Sequence, residues 1–488
     1  MTRPDLALLG RGDSWEGVRA VVAGLGVSGY AAADALVQMG ASVTILDDAD
    51  SETVRERAQI LEVLGAQVRL GPGATASLPD GADLLVPYPG LPPRTPIVAE
   101  ALAADTAVWS EPELGWRLRA DDAAPWIAVT GTNGKTTTTQ MLDGILRAGG
   151  LRSAAVGNIG VPVTEAVMDP TGFDVLAVEL SSFQLHFDAS IACESAAVLN
   201  VAPDHLDWYD DPQDYGRDKG RVYERVERAC VYNVADPATE ALVREADVVE
   251  GARAIGFTLG IPGPGQVGVV EDALADRAFV AERATSAAEL ATTADLAGPA
   301  GEPPAPHLVA NALAAAALAR AHGVEPRAVR DGLRAYRPGA HRIQQVDEVG
   351  GVAYVDDSKA TNPHAALSSL GAYPSVVWVA GGLAKGTTFD DLVRTARHRL
   401  RAAVLIGRDR AVIADALRRH APDVPVVEVD SGHDDPMDRV VDAAAGFAQP
   451  GDTVLLAPGC ASMDQFSGYA ARGDAFAAAV ARYAASGR

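Results

Sequence analysis

Lysine is rare in this sequence, and each of its four occurrences sits in a motif that could do chemistry. Of 41 basic residues in 488, only Lys135, Lys219, Lys359 and Lys385 are lysines; the rest are arginines. A guanidinium keeps its proton, whereas a lysine amine can bind phosphate as a point charge or react covalently. Lys135 belongs to Gly131-Thr132-Asn133-Gly134-Lys135-Thr136-Thr137. A glycine turn of this kind between a strand and a helix cradles phosphates with backbone N–H groups. The lysine reaches the terminal phosphates, and the hydroxyl of Thr136 can take Mg²⁺. The spacing departs from a strict GxxxxGK[ST], because Val129 stands where the first glycine would be.

Other residues could complete such a site. Glu179 ends an apolar run, where a carboxylate can hold a metal or cap a helix. His205, in Asn200-Val201-Ala202-Pro203-Asp204-His205, follows another such run and reads either as a structural histidine or as a ligand. Lys219 reads by default as an exposed helical lysine. Asp356-Asp357-Ser358-Lys359-Ala360-Thr361 and Gly381-Gly382-Leu383-Ala384-Lys385-Gly386 are further phosphate-compatible turns. If their strands are adjacent, the two lysines form a local cationic pocket. Near the N-terminus, Gly24-Leu25-Gly26-Val27-Ser28-Gly29 is a GxGxxG turn with Asp47 some twenty residues on. It suits a nucleotide or nucleotide-sugar, or only the packing of helix on sheet.

These turns need strands to end on and helices to begin. Expected strands are Val18–Ala23, Ser42–Leu46, Gln67–Leu70 and Leu84–Val86; then Trp126–Thr130, Val175–Glu179 and Ala196–Asn200. A last group is Val352–Val355, Val376–Ala380, Ala403–Ile406, Val426–Val429 and Thr453–Leu456. Helices are expected between them, and 260–306 reads as loops, short strands and an insertion. Alternation of this kind makes parallel sheets. The fold class is α/β in three domains, 1–110, 111–337 and 338–488. The first and last are Rossmann-like, and the central one is a P-loop ATPase-type parallel sheet.

The formal charge of −24 argues against nucleic acid or an anionic membrane as partner. Three dispersed cysteines make no disulfide framework and no zinc site, no secretory signal is evident, and no apolar run is long enough to span a membrane. The expectation is a soluble cytoplasmic protein, taken to act as a monomer on small molecules.

With GTNGKTTTT (131–139), GNIG (157–160), ELSSFQL (179–185), LNVAPDHLD (199–207), HR (341–342), DDSKATN (356–362) and APGCASMDQF (457–466) assembled, the chain resembles the Mur ligase family over nearly its whole length. The resemblance implies a domain for a UDP moiety, a central ATPase and a C-terminal domain for an incoming amino acid. It implies ATP-dependent addition of D-glutamate to UDP-N-acetylmuramoyl-L-alanine. Val27, Ser28, Asp47 and Asp48 would then hold uridine diphosphate, and Asn158 the muramoyl group. Gly131 to Thr137, with Asn311, Arg342 and Asp357, would bind ATP, and Lys359 would approach its phosphates. Mg²⁺ would lie among Thr136, Glu179, His205 and a Lys219 carbamylated by CO2. Thr361, Lys385 and Ser462 would hold the D-glutamate carboxylates, with Tyr469 where phenylalanine can stand. Other departures are Pro87-Tyr88-Pro89-Gly90 for SPG, Leu308 for asparagine, and an apparent insertion at 261–266. A related ligase for another amino acid or a folyl acceptor, a catalytically silent nucleotide-binding regulator, and a dehydrogenase using the first glycine turn are the competing readings.

Overall fold

A computed structural model describes residues 5–209, 211–297, 303–430 and 436–486. Three sheets carry the architecture. The first is parallel throughout, in the order Gln67–Leu70, Ser42–Asp47, Arg19–Ala23, Leu84–Pro87, Ala107–Val108. Its central strand is Arg-Ala-Val-Val-Ala with the last four residues buried, as a strand covered by helices on both faces must be. The glycine turn follows it and leads into helix Val27–Gln38.

The second sheet has nine strands. From one edge these are Ser153–Gly157, Val175–Glu179, Trp126–Thr130, Ser195–Val198, Ala229–Asn233, Arg253–Phe257 and Gln266–Val270, all parallel. Ala273–Asp276 and Ala288–Thr292 extend it antiparallel. This hairpin extension accounts for much of the stretch expected as loops and an insertion; residues 298–302 lie outside those described. Helix Pro306–His322 packs on the sheet through an alanine-rich segment, Ala312 to Ala319 with Leu313 and Leu318, which is fully buried. Small side chains let it approach closely, and Gly323 in the left-handed region (φ 104°) ends it. Helix Pro326–Ala335 crosses helix Lys135–Ala148 so closely at Gly332 that a Cβ there would sit 2.5 Å from the Ile145 Cα.

The third sheet runs Gln344–Val349, Val352–Asp356, Thr453–Leu456, Val376–Gly381, Leu400–Ile406, Val426–Glu428. Only its first pair is antiparallel. Strands Val352–Asp356 and Val376–Gly381 were expected as neighbours, but Thr453–Leu456 lies between them. The chain forms two compact units, Met1–Val201 with Asp211–Tyr336, and Ala202–Asp210 with Arg337–Arg488. Among the described residues no helix is long and apolar enough to cross a membrane.

Candidate active site

In the first unit, Trp126–Thr130 is wholly buried and delivers the loop 131–134 to the carboxyl edge of the sheet. Gly131 (φ 149°) and Gly134 (φ 84°) turn the chain, and helix Lys135–Ala148 begins without a side-chain cap. Its first N–H groups and dipole are therefore available to an anion. Lys135 Nζ donates to the Gly131 and Thr132 carbonyls at 2.8 and 2.9 Å, curling over the loop. Asn200 fastens the loop from the next strand. Its Oδ1 accepts from Asn133 N at 2.9 Å and its Nδ2 donates to Asn133 O at 3.0 Å. Thr136 is half-buried, Thr137 is buried, and Asn311 lies against Gly134.

Glu179 ends the strand paired with Trp126–Thr130, opposite Val129. It is 1% exposed. Oε1 accepts from Asn158 Nδ2 at 2.9 Å, while Oε2 is buried without a hydrogen-bond partner among the described residues. An orphaned carboxylate oxygen beside a phosphate loop fits an oxygen-seeking divalent cation. Among the described residues no three His, Cys, Asp or Glu side chains converge as a metal centre.

Lys219 departs from the default reading of an exposed lysine. It is 1% exposed on helix Pro212–Gly220, with Nζ 4.1 Å from the Tyr215 ring centroid and donating to Gly131 O at 3.2 Å. Tyr215 Oη donates to Thr132 Oγ1 at 3.2 Å, so this helix buttresses the phosphate loop.

The N-terminal glycine turn is equally tight. A Cβ at Gly29 would lie 1.9 Å from Gly24 O, which fixes glycine there for packing alone. Asp47 accepts from Leu25 N at 2.6 Å and from Ala49 N at 2.8 Å. Asp48 accepts from Thr75 N and Oγ1, and these donors hold its carboxyl below the usual range. Val27 is exposed beside the turn, and Ser28 is half-buried. Tyr88 of the Pro87–Gly90 departure covers Gly24; burial, then Asp47 and Asp48, pushes its phenol pKa up.

The second unit gathers the remaining candidates at the carboxyl ends of its strands. His341 Nδ1 meets Asp356 Oδ2 at 2.6 Å. His341 (φ 62°) and Ile343 (φ 47°) both hold left-handed backbone, a strained pair for non-glycine residues. Between them Arg342 faces Asp357, whose carboxyl burial raises to about 6 against the opposing effects of Ser369, Ile343 N and Arg342. Lys359 Nζ lies 4.0 Å from the Tyr469 ring centroid. Thr361 is half-buried and Ser462 is buried. The Gly381–Gly386 and Cys460–Ser462 loops are joined by reciprocal backbone hydrogen bonds between Leu383 and Ala461 at 2.8 and 3.0 Å. His205 (φ 56°) belongs to this unit with its neighbour Asp204, which binds Lys385 and Asn362.

Four contributors escaped the sequence reading: Asn200, Tyr215, Asp204 and Arg472. The first three lie inside or beside quoted motifs, so proximity was the available signal. Arg472 had none; it is one arginine among many, on the alanine-rich helix Tyr469–Ala485. It is 1% exposed and donates to Ser358 Oγ and to the Ser358 and Cys460 carbonyls at 2.9–3.1 Å, and to the Gly381 carbonyl at 3.4 Å.

Residues 129–319 match the Mur ligase middle domain, and 341–460 the Mur ligase glutamate ligase domain. The UDP-N-acetylmuramoylalanine--D-glutamate ligase of Streptomyces avermitilis is 60% identical over 467 residues, covering 96% of this chain and 98% of that protein. The ligase of the same name from Leifsonia xyli is 51% identical, covering 97% and 94%. Among solved structures, UDP-N-acetylmuramate-alanine ligase MurC of Thermotoga maritima aligns with TM-score 0.56 at 18% identity, covering 96% and 99%. MurF of Acinetobacter baumannii aligns with TM-score 0.55 at 18% identity, covering 86% and 88%. At those identities the structural likeness speaks for the fold alone.

Proposed function

The chain belongs to the Mur ligase family, and from that premise we propose that it is an ATP-dependent amide ligase adding D-glutamate to UDP-N-acetylmuramoyl-L-alanine in peptidoglycan precursor synthesis. The observation that carries the chemistry is the uncapped phosphate loop with the buried, unpartnered Glu179 oxygen on the neighbouring strand. The near-full-length identity to D-glutamate ligases supports the choice of amino acid.

The substrate's alanyl carboxylate attacks the γ-phosphorus of ATP, and ADP leaves with the bridging oxygen. The acyl phosphate so formed is attacked at carbon by the amine of D-glutamate. The tetrahedral intermediate expels phosphate as the amine gives up a proton and the amide forms. The loop Gly131–Thr137, with Lys135, holds phosphates in line for the first step. Asn311, Arg342 and Asp357 hold the nucleotide, and Lys359 offsets charge on the transferred group. Thr136, Glu179, His205 and Lys219 as its carbamate are the proposed holders of Mg²⁺. When bound, the ion supplies positive charge against the repulsion between carboxylate and phosphate. Burial of Lys219 supports the carbamate, since an ammonium there stays dry while an N-carboxylate becomes a metal ligand.

Val27, Ser28, Asp47 and Asp48 take uridine diphosphate, and Asn158 the muramoyl group. Thr361, Lys385, Ser462 and Tyr469 take D-glutamate. The corresponding domains are 1–110, 111–337 and 338–488, and the enzyme works as a cytoplasmic monomer. The test is phosphate release from ATP with UDP-N-acetylmuramoyl-L-alanine and a panel of amino acids. Release that depends on D-glutamate is expected; release with L-glutamate or a diamino acid alone refutes the choice.

A further inference from the structure

Strand Leu400–Ile406 ends in the turn Gly407-Arg408-Asp409, which lies against the Gly381–Gly386 loop with no room to spare. A Cβ on Gly407 (φ 82°) would come within 2.5 Å of both the N and the Cα of Gly382. Asp409 N donates to Gly382 O at 3.0 Å, and Asp409 Oδ2 accepts from Ala384 N at 2.8 Å. Arg408 N donates to Asp464 Oδ2 at 2.7 Å, so the same turn is also tied to the segment that follows Ser462.

Asp409 spends its carboxylate in an unusual place. It is the N-cap of helix Arg410–His420, where an aspartate ordinarily accepts from the N–H groups of its own first turn. Among the described residues it makes no such bond, and its side chain reaches instead to a peptide 25 positions earlier. Ala384 is 5% exposed, so its N–H has little access to water and depends on that carboxylate. The far side of Ala384 is held as well. Its carbonyl accepts from Thr387 N at 3.0 Å and from Thr387 Oγ1 at 2.6 Å. The two peptides before Lys385 are thus fixed in orientation. Lys385 itself has φ 51° and Gly386 follows at φ 75°. A residue with a side chain holds left-handed backbone only where its surroundings impose it.

We propose that Asp409 is a positioning residue for the ligation: by gripping Ala384 N, it holds the Lys385 turn in the left-handed form that presents the ammonium to the amino-acid substrate. This rests on the reading that Lys385 holds a D-glutamate carboxylate. The experiment is steady-state phosphate release by the full chain, varying each of the three substrates in turn. Asp409→Ser is the informative variant. Serine caps a helix as well as aspartate does, but its hydroxyl stops one bond short of the reach to Ala384. Its Tm should stay near that of wild type while KM for D-glutamate rises about tenfold, as for loss of one hydrogen bond to a charged group. The kcat and the other two KM values should stay within about twofold. Asp409→Ala should show the same rise, and Asp409→Asn, which keeps an acceptor of full reach, should recover most of the loss. Since Asp409 acts through Lys385, Asp409→Ser should add almost nothing to the defect of Lys385→Met.

An unchanged KM for D-glutamate in folded Asp409→Ser and Asp409→Ala overturns the proposal. So does a parallel rise in all three KM values with a lowered Tm, which would make the residue a packing element, and so does full additivity with Lys385→Met. A D-glutamate KM unmoved in Lys385→Met would instead sink the reading of Lys385 itself, a separable result.

Discussion

Lys385 Nζ meets Asp204 Oδ1 at 2.7 Å, joining side chains 181 positions apart in the sequence. Asp204 also accepts from Asn362 Nδ2 at 3.0 Å, and its neighbour His205 stands 3.7 Å away. The lysine side chain is 14% exposed and the aspartate 5%. Burial alone would raise this carboxyl, but His205, Lys385 and Asn362 outweigh it and hold it below its usual range. The ion pair therefore sets where one of the proposed amino-acid contacts sits before any substrate arrives.

Removing the charge at Asp204 should cost stability and selectivity together. Asp204→Asn leaves a nearly buried ammonium without its counter-ion, a loss on the order of 2–4 kcal/mol. Because the folded pKa is depressed, the carboxylate's contribution is present above its unfolded value of about 4 and is lost as pH falls through the folded one. Urea unfolding of wild type and Asp204→Asn should thus differ at pH 7 and converge on acidification. KM for D-glutamate should rise several-fold with KM for ATP unmoved. An unchanged D-glutamate KM would mean that Lys385 does not hold the amino acid.

Lys219→Arg should lose nearly all turnover. The variant keeps a positive charge near the Gly131 carbonyl, but a guanidinium cannot carry a carbamate. Small carboxylic acids added to a Lys219→Ala protein should restore part of the phosphate release. Full activity in Lys219→Arg would rule out the carbamate.

The junction at helix Glu111–Leu118 carries a titration of its own. Glu111 Oε1 accepts from Thr164 N and Oγ1 at 2.6 and 2.7 Å, but Oε2 is buried with no hydrogen-bond partner among the described residues. Burial raises this carboxyl to about 7, partly opposed by the Thr164 donors. Nearby, burial and Glu113 raise Asp188 to about 8, while Glu113 itself is held low by Ser190 and Arg117. A folded pKa above the unfolded one means that the favourable contribution is complete below about 4.5 and declines as pH rises through about 7. For Glu111 the decline is on the order of 2–3 kcal/mol. Glu111→Gln cannot titrate, so its unfolding free energy should fall less than that of wild type between pH 5 and 8. Parallel pH profiles for the two proteins would refute the assignment.

How much of this was legible in the sequence depends on the range of the cause. Strands Trp126–Thr130 and Val175–Glu179 were placed to the residue, because runs of buried apolar side chains ending in glycine or a carboxylate announce themselves locally. Three of the five residues of Ser153–Gly157 are alanine or glycine, and Gln344–Val349 is a polar edge strand, so neither carried a hydrophobic signal. The glycine loops and the four lysines stood out locally, the loops by glycines placed after apolar runs and the lysines by their rarity among 41 basic residues. The burial of Lys219, the Asp204 pair and the interposed strand Thr453–Leu456 were not, since each is created by tertiary packing between distant segments.

Arg472 is the extreme case of that limit, and it makes the last prediction. Among the described residues its guanidinium has no carboxylate partner; it is held by Ser358 Oγ and by the carbonyls of Ser358, Gly381 and Cys460. Burial pushes its pKa down to about 10, which still leaves it charged at neutral pH. A fork of donors spanning three turns is beyond a lysine, whose single nitrogen can reach one or two of these acceptors. Arg472→Lys should therefore be almost as damaging as Arg472→Met. Each should lose on the order of 3 kcal/mol or more in urea unfolding as buried carbonyls go unpaired. In whatever fraction stays folded, KM for D-glutamate should rise well beyond KM for UDP-N-acetylmuramoyl-L-alanine. The turns tied by Arg472 carry Lys359, Thr361, Lys385 and Ser462. Near-wild-type stability in Arg472→Lys would show that the turns hold their positions without it.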